Sequence, residues 1–335
     1  MTRLPLIAVL LLAAALAVAG CGAKEDSSGP VATEPMRLML DYFPNADHAG
    51  IYAAQDGGAF RKAGIDLEIR TPSDPSAPLK LLAAGRVDLA ISYEPELLLA
   101  RDQGQDLVAV GALVQTPLTS VVSIGKKAIS SPEQLRGKTV GTAGIPYQSA
   151  YLKAILDEAG VDRSSVREVN LGFNLVPAML SRRVDATLGA FWNYEAIQLQ
   201  LQRKRPKVIR MENAGVPTYN ELVIVARRSD VREGGKRIRR FMRALTQGME
   251  AIRRDPAAGV DPLVAANKDL DRKLQTESVE ATLDAFFPRD SSKPFGWMDG
   301  AAWGRYAAWM RSNGLLRNGD GRGALTNEFL PGEGV

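Results

Sequence analysis

The chain has 335 residues, 45% of them apolar and 24% charged, with a formal net charge of +4. That length accommodates two compact lobes with separate cores. One histidine and one cysteine exclude His/Cys metal clusters, an internal disulfide and most histidine-based catalytic triads, and no Gly-rich phosphate loop is present.

The first twenty residues stand apart from the fold. Arg3 gives a positive start, residues 6–19 are an unbroken apolar run, and Val18-Ala19-Gly20-Cys21 closes it. The run is short for a bilayer span, so residues 1–20 read as a cleaved signal peptide. Small residues before the only cysteine resemble a bacterial lipobox, which makes Cys21 the lipidation site. The alternative is an ordinary signal peptide whose cysteine is incidental. Residues 21–35, rich in Ser, Gly and Pro, read as a flexible tether. The expected address is the outer face of the cytoplasmic membrane, with a lipid anchor on Cys21. Cleavage removes Arg3 and lowers the formal charge from +4 to +3. This small excess, with that address, argues against a nucleic-acid partner. Basic clusters at residues 203–205 and 236–243 read as solvated helix faces.

The remaining chain states one pattern twice. A strand ending near Leu40 feeds a turn through Pro44-Asn45 and a helix running from about Asp47-His48 to Ala63. Gly64 stops that helix, and Leu67-Glu68-Ile69 alternates as a second strand. A Pro-rich stretch and a helix from Leu79 lead to a third strand over residues 86–93. The second statement has a strand at 138–141, a turn at 142–146 and a helix at 147–159. A strand at 166–171, a helix at 176–180 and a strand at 183–192 follow. Gly-Ile-Asp to Arg-Val-Asp spans 22 residues from Asp66 to Asp88, and Gly-Val-Asp to Arg-Val-Asp spans 23 from Asp162 to Asp185. Asp88 and Asp185, at strand starts, are assigned to structure, each bonding a neighbouring turn. Alternating strands and helices with right-handed crossovers give two parallel-sheet lobes. Apolar runs at 118–124 and 221–226 read as strands crossing between them. The expected division is lobe 1 at 36–122 and 225–335, and lobe 2 at 123–224. The tail is helical: Ile238, Phe241, Met242, Leu245, Met249 and Ile252 form a stripe, and Trp303, Tyr306, Trp309 and Met310 mark a later helix capped by Asp299. Two lobes on two connections make a hinged binding protein with a cleft between them.

Polar groups where a strand feeds a helix mark a ligand-binding sheet edge. There the sequence places Asp41-Tyr42-Phe43-Pro44-Asn45 with His48 and Gly50. The Arg86-Val87-Asp88 strand ends in Ser92-Tyr93-Glu94-Pro95, and the later strand ends in Gly189-Ala190-Phe191-Trp192-Asn193-Tyr194-Glu195. Together these motifs resemble the thiamine-pyrimidine-synthase-like family across essentially the whole mature domain. Its bacterial members include lipoproteins that feed ABC importers with formylaminopyrimidine. The resemblance implies a type II periplasmic-binding-protein fold and no enzymatic step or cofactor. It also implies a small heteroaromatic ligand, ABC permease and ATPase partners, and a monomer. The family usually has Trp at the position of Tyr42 and Asn at that of Asp47.

For a flat nitrogen-rich ring, Tyr42 and Trp192 are expected to stack on its two faces. Asp41 and Glu195 would accept from an amine or protonated ring nitrogen. Asn45, His48, Tyr93 and Tyr147 complete the candidate ligand-binding set. The bland alternatives are a turn cap for Asp41 and Asn45, a buried partnered histidine for His48, and inter-lobe packing for Trp192. Hydroxymethylpyrimidine fits the same chemistry. Riboflavin is the alternative ligand; a sulfonate-type anion would want Arg or Lys at loop tips that carry Asp41, Glu94 and Glu195 instead. Two other classes are a surface sensor lipoprotein and a thiamine-pyrimidine synthase. Eukaryotic synthases of the family consume an active-site histidine, with pyridoxal phosphate and iron. They also carry a cysteine-rich segment, which this mature chain lacks.

Overall fold

The computed structural model describes residues 32–332; the expected signal peptide and Cys21 lie outside them. Strand β1 (Glu34–Met39) pairs from its first residue, Glu34, with Ile65 of β2 (Ile65–Arg70). The sheet therefore begins two residues inside the stretch expected to be tether.

Two five-stranded sheets form with the same plan. The first runs β2-β1-β3-β10-β4, with β3 Leu89–Ser92, β4 Leu107–Val114 and β10 Leu222–Arg227. The second runs β7-β6-β8-β5-β9, with β5 Thr119–Ser123, β6 Thr139–Thr142, β7 Arg167–Asn170, β8 Ala186–Phe191 and β9 Lys207–Arg210. The three repeat strands of each lobe are parallel. The strand arriving from the other lobe, β10 or β5, enters antiparallel, so each sheet is mixed rather than wholly parallel. The repeat extends to single bonds. Asp88 Oδ2 accepts from the Arg37 N–H at 2.7 Å, and Asp185 Oδ2 accepts from the Thr139 N–H at 2.8 Å. Each aspartate thus ties the start of its strand to the neighbouring strand, where a turn was expected.

All of β5 pairs in the second sheet and all of β10 in the first. The crossings between lobes fall in residues 115–118 and 215–221, not within strands near 122 and 224. Glu221 joins the two crossings: its carboxylate accepts from the backbone N–H groups of Leu118 and Thr119 at 2.6 and 2.8 Å, and from the Thr119 hydroxyl at 2.7 Å.

The first expected helix is broken. A 3₁₀ turn (Ala46–His48) leads into α1 (Ala49–Asp56), and Gly58 at φ 71° restarts the chain as α2 (Ala59–Lys62). The other helices of the lobes are α3 (Pro78–Ala83), α4 (Glu94–Asp102), α5 (Pro146–Glu158), α6 (Leu175–Leu180) and α7 (Glu195–Leu201). The tail supplies α8 (Arg228–Arg254), α9 (Ala257–Ala266), α10 (Arg272–Phe286) and α11 (Gly300–Ser312). The α8 stripe from Ile238 to Ile252 is buried as its spacing predicts. α1 crosses α8 backbone to backbone, since a Cβ on Gly248 would lie 2.0 Å from the Gly50 carbonyl oxygen. This contact fixes the helix that carries the first site loop.

Candidate functional site

The loop after β1 is built by its own polar side chains. Asn45 caps the 3₁₀ turn: its Oδ1 accepts from the Asp47 N–H at 2.8 Å, and its Nδ2 donates to the Phe43 carbonyl at 3.1 Å. The Asn45 N–H donates to His48 Nδ1 at 3.2 Å. A ring nitrogen that accepts cannot carry the proton, so His48 holds it on Nε2. Nε2 lies 2.9 Å from Asp41 Oδ1, while the Tyr93 hydroxyl donates to Asp41 Oδ2 at 2.8 Å. Asp41 is thus aimed from both sides.

The second lobe supplies the facing wall. Gly189, at a bulge in the pairing of β8 with β5, and Phe191, the last residue of β8, both line a cavity between the lobes. Glu195 opens α7 beside them. Its Oε2 accepts from the Phe191 N–H at 2.7 Å. The side chain is 7% exposed, and burial pushes its carboxyl up to about 7, against the pull of that bond. Gln148 reaches the cavity from α5 and accepts from the Ala143 N–H through Oε1 at 2.8 Å. Its amide nitrogen occupies space that a side chain on residue 189 would fill, because a Cβ there would lie 2.2 Å from Nε2. Gly189 also has φ 112°, where a Cβ is strained.

The cavity is a narrow cleft between the two lobes. Asp41, Tyr42, Asn45 and Tyr93 line it from one lobe. Gln148, Phe191, Tyr194 and Glu195 line it from the other, and no Lys or Arg does. The lobes touch at its rim. Tyr42 meets Phe173 edge-on with centroids 4.7 Å apart, and Asn193 Nδ2 donates to Asp47 Oδ1 at 2.8 Å and to Thr282 Oγ1 of α10 at 2.7 Å.

Five of the eight candidate residues therefore surround one cavity: Asp41, Tyr42, Asn45, Tyr93 and Glu195. Three do not line it. His48 is fully buried behind Asp41, with both ring nitrogens bonded. Tyr147 is fully buried with its hydroxyl 3.2 Å from Thr119 Oγ1, because the next residue, Gln148, takes the inward face of α5. Trp192 follows the inward Phe191 and turns away. Its indole N–H donates to the Pro117 carbonyl at 3.0 Å, and Arg210 stacks on its ring at 4.0 Å. The expected Tyr42–Trp192 sandwich is replaced by Tyr42 facing a wall of Phe191 and Tyr194. Nothing local announced Ala143, Ile145 or Gln148.

The NMT1/THI5 like family pattern matches residues 45–259, from the Asn45 cap to the glycine of α9 that packs on α1. The chain belongs to the NMT1/THI5-like family. Among NMT1/THI5-like relatives, a formylaminopyrimidine-binding protein of Halalkalibacterium halodurans is 32% identical over 312 residues, covering 92% of this chain and 94% of that protein. A 4-amino-5-hydroxymethyl-2-methylpyrimidine phosphate synthase of Schizosaccharomyces pombe is 21% identical, covering 80% of each. Among solved structures, the alkanesulfonate-binding protein SsuA of Xanthomonas axonopodis pv. citri bound to MOPS superposes with a TM-score of 0.69 at 17% identity, covering 88% of this chain and 99% of that one. The fold is thus that of binding proteins such as SsuA, two mixed-sheet lobes about a cleft.

Proposed function

We propose that this NMT1/THI5-like chain binds a single flat aminopyrimidine of the formylaminopyrimidine or hydroxymethylpyrimidine kind and hands it to an ABC permease and its ATPase. The carrying observation is the inter-lobe cavity, whose aromatic walls meet the carboxyl group of Glu195 and the amide of Gln148. An aminopyrimidine edge offers an exocyclic N–H beside a ring nitrogen. A carboxylate complements that pair: it accepts from the amine, and from the ring nitrogen when that nitrogen is protonated. Gln148 Nε2 suits a carbonyl such as a formyl oxygen. Tyr42 and Phe191 supply ring faces.

The lining without Lys or Arg disfavours a sulfonate. The burial of His48 behind Asp41 supports carriage over synthesis, because a histidine consumed as substrate must be reachable. On this reading the lobes close on the ligand and the closed form docks on the permease, held near the membrane by lipid on Cys21.

Calorimetric titration with formylaminopyrimidine, hydroxymethylpyrimidine, thiamine and riboflavin tests this. Binding of the free pyrimidines in preference to riboflavin is expected. Heat from none of the four would refute the ligand class.

A further inference from the structure

At the end of its sheet away from the inter-lobe cavity, lobe 2 carries a groove lined by Lys126, Lys127, Arg182, Arg203, Lys204 and Arg205, with Asp185 as its one acid. Asp185 immediately precedes β8 and Phe191 ends it, so the two sites lie about 20 Å apart along that strand. They share no residue. All six cations are exposed, and among the described residues none of their side chains forms an ion pair or hydrogen bond. The groove holds a net charge of +5, whereas residues 21–335 sum to +3, so the remainder of that chain is −2. The cluster at 203–205 lies beyond the end of α7, not on the helix face expected for it.

Two of these cations sit where the backbone disfavours them. Arg182 and Arg203, at φ 59° and 57°, are the non-glycine residues with positive φ among the described residues. Each closes a helix. The Arg182 and Arg183 N–H groups donate to the Met179 and Ala178 carbonyls of α6, and those of Arg203 and Lys204 donate to the Gln200 and Leu199 carbonyls of α7. Lobe 1 closes α3 and α4 with the same pairs of bonds, yet has Gly85 and Gly104 at the left-handed position. A Cβ at either glycine would meet nothing within 4 Å, so glycine serves the backbone conformation there. The repeated fold thus accepts glycine at these two places. Lobe 2 carries arginine instead, against the preference of the backbone, and both arginines line one groove.

The two most exposed large apolar side chains of the described residues stand here as well. Leu180 lines the groove at 37% exposure, and Val208, at 36%, lies on the edge strand β9 just beyond Arg205. We propose that this end of lobe 2 docks on an anionic phospholipid surface, the phosphates meeting the six cations while Leu180 and Val208 enter the headgroup layer. Unpaired cations spread over three loops call for a density of negative charge rather than a matching shape. The apolar tips favour a bilayer over a free anion. The docking is independent of the ligand that the inter-lobe cleft takes and of lipid on Cys21.

A protein of residues 22–335 keeps every described element and lacks the lipidation site. It is sedimented with vesicles of equal parts phosphatidylglycerol and phosphatidylcholine, and with vesicles of phosphatidylcholine alone. Binding to the first, none to the second, and release by added salt are expected. The double variant Arg182→Gly, Arg203→Gly installs the residue that lobe 1 uses, and its melting temperature reports that it has folded. A cation near an anionic surface raises affinity about fivefold, so this variant should bind about tenfold to thirtyfold more weakly. The pair Lys236→Gln, Arg243→Gln removes the same charge from a groove along α8, where three acids stand among six cations, and should change binding little. The proposal is overturned by equal binding to both vesicles or to neither, by unchanged affinity of the arginine variant, or by an equal loss in the α8 variant. Displacement of the vesicles by polyglutamate of matching charge would overturn it too, by making the occupant an acidic protein segment.

Discussion

Replacing Glu195 with Gln isolates the group on which the proposed recognition turns. The variant keeps its fold-bearing bond, because an amide oxygen can still accept from the Phe191 N–H now 2.7 Å from Oε2. What it loses is an oxygen that can become charged. A hydrogen bond to a charged group contributes about 1.5–3 kcal/mol, which is roughly a tenfold to 150-fold rise in Kd. The pH dependence sharpens the test. With its carboxyl pushed up to about 7, Glu195 is ionised in roughly one molecule in ten at pH 6 and in most at pH 8. A ligand donating to the carboxylate should therefore bind up to about tenfold more tightly at pH 8 than at pH 6. Asp47 is also pushed up to about 7 by burial, so only the part of the slope that Glu195→Gln removes belongs to Glu195. Calorimetry at both pH values reads both quantities. Unchanged affinity together with an unchanged slope would refute the assignment.

Other outcomes follow from the same geometry. Phe191→Ala should weaken binding by about 1–3 kcal/mol, by analogy with base–aromatic stacking, and by more than Trp192→Ala does; the reverse order in calorimetry would contradict the place of Phe191 in the cavity wall. His48→Ala leaves Asp41 Oδ1 without its buried donor and should cost about 1–3 kcal/mol of stability in urea unfolding; an unaltered midpoint would show that Asp41 needs no such support. Gly189→Ala meets both positive φ and the Gln148 amide, and strain of about 1–3 kcal/mol should lower the melting temperature and the affinity together. Glu195, Asp47, Glu96 and Glu221 all hold protons up to about pH 7 in the fold, against ordinary values of 3.8–4.5. The folded state thus binds the extra protons, and melting temperature without ligand should fall as pH rises from 5 to 8; a rise would contradict these burials.

The doubled spacing of Asp66–Asp88 and Asp162–Asp185 made the twin sheets legible, because each aspartate marks a strand start that the backbone uses in the same way. The Asp41 loop was legible because strand-to-helix turns are local chemistry: a cap, an Asx-type bond and a histidine within eight residues. What escaped depended on a turn of the chain or on distance. Trp192 drew attention by size, yet β8 ends at Phe191 and the turn that follows sends the indole to the Pro117 carbonyl instead. Tyr147 lost to Gln148, which takes the inward face of α5. The Gly57-Gly58 break was present in the sequence but was masked by the apolar spacing on either side of it. The share of α10 in joining the lobes, through Thr282 to Asn193, comes from a contact between segments far apart in the chain. No local pattern encodes it.

The most direct test of the central claim is a crystal structure of the protein grown with formylaminopyrimidine. The account predicts one ring between Tyr42 and Phe191, its amino nitrogen within hydrogen-bond distance of Glu195 and its formyl oxygen facing Gln148. A ligand seated elsewhere, or a cleft whose carboxyl groups make no contact with a bound ring, would contradict it.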